Sequence, residues 1–78
     1  MARRTPRDLE RSYSARQFAA KLRRLADSVE SGRAFTIQVA GEVLRIPASA
    51  VFNVEHERGK DGTEELEFQL RWHDREAP

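Results

Sequence analysis

The stretch Glu64-Glu65-Leu66-Glu67-Phe68-Gln69-Leu70-Arg71-Trp72 alternates polar and apolar residues from Glu65 to its end. Successive side chains on a strand point to opposite faces, so Leu66, Phe68, Leu70 and Trp72 share one face and Glu65, Glu67, Gln69 and Arg71 the other. A strand near 63–72 is predicted. Upstream, Phe52, Val54 and His56 alternate in the same way and predict a strand near 50–58. Opposite residues of an antiparallel pair share a face, so the loop must preserve the parity of the two apolar sets. An Asp61-Gly62 loop breaks that parity. The three-residue loop Lys60-Asp61-Gly62 keeps it and puts Gly62 at the left-handed position of a bulge. The register expected is His56 opposite Leu66, Val54 opposite Phe68 and Phe52 opposite Leu70.

Working towards the N-terminus, Phe35, Ile37 and Val39 alternate against Thr36 and Gln38, and Leu44 and Ile46 against Val43 and Arg45. These segments predict strands near 34–40 and 43–46. A Gly41-Glu42 loop of type II′ sets Val39 opposite Leu44 and Ile37 opposite Ile46. An Ala40-Gly41 loop also keeps parity but asks Ala for a positive φ, and ranks second. Pro47 cannot donate to a ladder and closes the second strand.

Before Gly32 the apolar period changes to three and four, with Ala15, Phe18, Ala19, Leu22, Leu25, Ala26 and Val29 on one stripe. A helix over 15–30 follows. Ser14-Ala15-Arg16-Gln17 has the form of a capping box, with Tyr13 and Phe18 at the staple positions, and Gly32 suits the left-handed residue after the last turn.

The expected architecture is α+β: one N-terminal amphipathic helix packed on a four-stranded antiparallel meander sheet. Its expected core contains Phe18, Leu22, Leu25, Val29, Phe35, Ile37, Val39, Leu44, Ile46, Phe52, Val54, Leu66, Phe68 and Leu70. Seventy-eight residues give room for one core. Residues 13–74 form that single domain, between a flexible basic arm at 1–12 and a flexible end at 75–78. A chain this short without cysteine needs very good packing or self-association to be stable. No apolar run reaches the length of a membrane span and the N-terminus has no signal-like apolar stretch, so a cytoplasmic protein is expected.

The net charge of +1 hides an asymmetry. Residues 1–33 hold nine Arg and Lys against four Asp and Glu, a balance of +5; residues 34–78 hold five against nine, a balance of −4. Such halves suit either an acidic partner or complementary surfaces within a dimer.

Together these segments resemble a known family, the amphi-Trp domain, a short bacterial and archaeal module named for an amphipathic strand ending in Trp. The matching residues are Ala15, Ala20, Lys21, Leu22, Leu25, Ala26 and Gly32 in the helical half, Ile46-Pro47 in the middle, and Glu65 to Trp72 at the end. The resemblance runs from about Ser14 to Trp72. It implies the fold and assigns no activity, cofactor or catalytic residue.

Catalysis needs a nucleophile and base, or a paired acid and base, held in a pocket, and the candidates are thin. His56 reads as a rim residue with no evident partner, and His73 as a solvated residue beside Asp74. With no cysteine and two histidines on opposite faces, no metal or cofactor site is expected. The register sets Glu57 opposite Glu65 and Glu55 opposite Glu67, an acidic face that reads first as solvated surface.

The chain is therefore expected to be a non-catalytic protein-interaction module, self-associating through its sheet as a homodimer or binding another protein. Trp72, with Leu70 and Phe52 near it, is the expected contact. The alternative is a nucleic-acid-associated protein with phosphate contacts from Arg3, Arg4, Arg7, Arg16 and Arg23. It lacks interleaved aromatics and a recognition-helix signature.

Overall fold

The computed structural model describes residues 7–74. Helix α1 covers Ala15–Glu30, and four strands follow: β1 Phe35–Val39, β2 Glu42–Ile46, β3 Val51–Arg58 and β4 Glu64–Arg71. The class is α+β, with all strand pairs antiparallel.

The helix begins where its cap dictates. Ser14 Oγ accepts from the Gln17 amide at 3.2 Å, and Gln17 Oε1 accepts from the Ser14 amide at 3.2 Å, the reciprocal capping box. At the other end the Ser31 amide bonds to the Asp27 carbonyl and Gly32 takes φ 71°, which ends the helix within the predicted residues.

The strands do not form one meander sheet. β1 pairs with β2 and β3 with β4, giving two separate two-stranded sheets. A short link joins the two pairs. Pro47 offers no amide hydrogen to continue the ladder, and its carbonyl accepts from the Ala50 amide at 3.1 Å, closing a tight turn that redirects the chain. Ala50 fills the corner at 7% exposure.

The first hairpin also departs from expectation. Phe35 pairs with Ile46, Ile37 with Leu44 and Val39 with Glu42, so the loop is Ala40-Gly41 and not Gly41-Glu42. Ala40 at φ 51° and Gly41 at φ 83° are both left-handed, as a type I′ turn requires. The twist of that turn matches the twist of the strands, and this outweighs the steric cost at Ala40. The second hairpin follows its predicted register throughout, with Phe52 opposite Leu70, Val54 opposite Phe68 and His56 opposite Leu66. Gly59 and Thr63 close the three-residue loop, and Gly62 stands at φ 91°.

The expected core is the largest correction. Of its fourteen residues only Ile46 is buried. Leu25, Val29, Phe35, Ile37, Val39, Leu44 and Leu70 are partly covered, whereas Phe18, Leu22, Phe52, Val54, Leu66 and Phe68 remain exposed. With the sheet divided, the second hairpin is not drawn under the helix. The apolar faces of α1 and β3–β4 look into shared open space instead.

Candidate functional site

The alternation that builds β4 sends its even residues to one side, and the register adds the even residues of β3 beside them. Phe52, Val54, Phe68 and Leu70 thereby make one apolar wall. The helical period sends Leu22, Leu25, Ala26 and Val29 to a second wall facing it. Between the walls runs an open groove of about 760 Å³, lined almost wholly by apolar surface.

The apolar face of the β3–β4 hairpin is left largely uncovered, Leu70 alone of its apolar residues being partly covered. On the apolar face Phe52 is 55% exposed, Val54 60%, Leu66 70% and Phe68 63%. On the polar face Val51, Glu55, Glu57, Glu65 and Arg71 are exposed, while Asn53, Glu67 and Gln69 are each partly buried. They cover one another through a chain of hydrogen bonds: Arg71 Nη2 donates to Asn53 Oδ1 at 3.4 Å, Asn53 Nδ2 to Gln69 Oε1 at 2.9 Å, and Gln69 Nε2 to Glu67 Oε2 at 2.8 Å.

That chain ends in carboxylates. Oxygens of Glu57, Glu65 and Glu67 lie within 4.8 Å of one another, as the predicted Glu57–Glu65 and Glu55–Glu67 pairs bring about. A proton shared with Glu67, followed by the charge of Glu57, pushes the Glu65 carboxyl above its ordinary value. Glu64 behaves oppositely. His56 Nε2 and Arg58 Nε each approach one of its oxygens at 2.6 Å, and these two bonds, His56 first, hold it below the ordinary carboxylate value. His56 thus has a partner that its strand position concealed, because Glu64 reaches it diagonally across the ladder.

The contact residues read from the sequence are divided. Phe52 and Leu70 pair directly and line the groove. Trp72 does not join them. β4 ends at Arg71, and Trp72, just beyond it, sits at 38% exposure in a separate depression with Ser49, Val51, Arg71 and His73.

The basic residues are likewise rearranged. Arg3 and Arg4 lie outside the described residues. Arg7 pairs with Glu42 at the start of β2, and Arg16 and Arg23 are exposed on the helix. The cationic cluster that does form surrounds Tyr13, with the Arg11 guanidinium 5.1 Å and the Lys21 ammonium 5.6 Å from the ring centre and Arg24 in the same depression. Its signal in the sequence is the spacing of Tyr13, Gln17, Lys21 and Arg24, which brings them to one side of the helix.

Among the described residues no helix is long and apolar enough to cross a membrane. Neither the curated proteins nor the solved structures offer a match to the chain. The family model described as the Amphi-Trp domain matches residues 1–78, which takes in the basic N-terminal residues along with the helix and both hairpins. The chain belongs to the Amphi-Trp domain family.

Proposed function

We propose that this protein is a non-catalytic interaction module of the cytoplasm that associates with itself through the apolar face of its β3–β4 sheet. One observation carries the reading: Phe52, Val54, Leu66 and Phe68, neighbours on the apolar face of that hairpin, are each more than half exposed. Scattered exposed apolar residues are ordinary on a protein surface, but a contiguous patch with two phenylalanines at its centre marks a contact surface. Aromatic side chains at such a place gain most from losing their water. Native mass spectrometry over a dilution series tests the reading. Dimers that dissociate only on strong dilution support it, and a monomer at every concentration refutes it.

The cluster around Tyr13 favours a second reading, a nucleic-acid-associated protein. Three cations beside one aromatic ring can meet a phosphate and a stacked base together. Heparin retention and a DNA gel shift at low and moderate salt test it. Phosphate contacts strengthen steeply as salt falls, so a chain that does not bind at low salt rules it out.

A further inference from the structure

We propose that the occupant of the groove between α1 and β3–β4 is a second copy of this chain, the two grooves meeting mouth to mouth about a two-fold axis. Two helices and two β3–β4 hairpins then enclose one common core. This inference rests on the self-association reading and adds to it the surface and the arrangement.

The first support is area. The chain exposes 7180 Å², whereas a compact chain of 9.0 kDa exposes about 4,900 Å². Its radius of gyration is 14.5 Å, against about 11.5 Å for a compact chain of this length. Along the groove itself Leu22, Phe52, Val54 and Phe68 remain 41%, 55%, 60% and 63% exposed, the contiguous apolar surface that an interface of ~800 Å² per partner needs at its centre.

The second support is shape. Sixteen helical residues extend about 24 Å, and eight strand residues about 27 Å. Helix and hairpin are thus similar in length, so α1 of one copy can lie along β3–β4 of the other and the reverse. Isologous pairing requires that self-complementarity. Residues 1–6 and 75–78 offer little apolar cover of their own, Met1 being their one large apolar side chain.

The third support is charge. Residues 1–33 carry +5 and residues 34–78 carry −4. The groove elements keep that difference in sign, residues 15–30 holding four Arg and Lys against two Asp and Glu and residues 51–71 three against six, so setting the helix of one copy beside the hairpin of the other brings net opposite charges together while the apolar faces meet inside. A second copy brings the complement of both halves with it.

The test uses the full chain. In a sample mixing isotope-labelled and unlabelled protein, filtered NOE spectra report contacts between copies alone. The expected contacts join Leu22, Leu25 or Val29 of one copy to Phe52, Val54 or Phe68 of the other. Phe68→Asp should raise the dimer dissociation constant at least about tenfold. Val43→Asp, at a residue 66% exposed and absent from the groove, should leave it within about twofold. If Phe68→Asp does not fold, the spectra of the unaltered protein still decide. A dimer whose contacts fall on Trp72, Val43 or Tyr13 overturns the arrangement and leaves self-association standing. A protein that never dimerises overturns both.

Discussion

Val54 and Phe68 stand directly opposite each other in the β3–β4 ladder, and the pair is 60% and 63% exposed. Cross-strand apolar pairs stabilise a sheet when a further layer covers them. Here the covering layer, α1, stands across an open groove. The cost of truncating Phe68 therefore depends on what fills the groove. A side chain this exposed in an isolated chain should cost well under about 1 kcal/mol on truncation. If a second copy covers it, Phe68→Ala should cost on the order of 2–4 kcal/mol. Urea denaturation at several protein concentrations distinguishes the two.

The Ala40-Gly41 turn holds a removable strain. Ala40 sits at φ 51°, where a side chain with Cβ is disfavoured by roughly 1–2 kcal/mol. Asn tolerates this region, so Ala40→Asn should stabilise the protein by about 1 kcal/mol. A melting temperature higher by roughly 4–8 °C is the expected reading.

The helix start is a second isolated lever. Ser14→Ala removes the acceptor for the Gln17 amide and should cost about 1 kcal/mol. Gln17→Ala removes only the returning bond and should cost less. Chemical denaturation of the two variants beside the unaltered chain checks the order.

Glu64 and Glu65 are neighbours with opposite responses to pH. Glu64 lies below its usual 4.5 when folded, so its contribution to stability is present above that value and lost as pH falls through the folded one. Glu64→Gln should accordingly lower the melting temperature at neutral pH, and the loss should fade in acid. Glu65 lies above 4.5 when folded, so folding favours its protonated form and its ionisation at neutral pH opposes folding. Glu65→Gln should raise the melting temperature at neutral pH, with the gain vanishing below 4.5. Thermal melts across the acid range check both signs.

What could be read in the sequence was the local part. Ser14, Gln17 and Gly32 mark the helix because capping depends on a few adjacent residues. The β3–β4 register was legible because parity and Gly62 leave a single loop. Three features were not legible, and each depends on how parts meet. The Ala40-Gly41 turn trades steric cost against strand twist, and twist is a property of the paired strands. The separation of the two hairpins depends on which strands meet in space, which a period-2 pattern does not record. Trp72 lies outside the groove, just past the end of β4, and an alternating pattern does not mark where pairing stops. The candidate surface is accordingly half legible: Phe52 and Leu70 line the groove, Trp72 lies outside it, and Val54, Phe68 and the helix wall read from the sequence as parts of a closed core.

Sedimentation equilibrium of the full chain over a wide concentration range tests the central claim most directly. The account predicts a dimer of twice the 9.0 kDa chain mass that dissociates on dilution and is lost on Phe68→Asp. A 9.0 kDa species at every concentration, unchanged by that substitution, would contradict it.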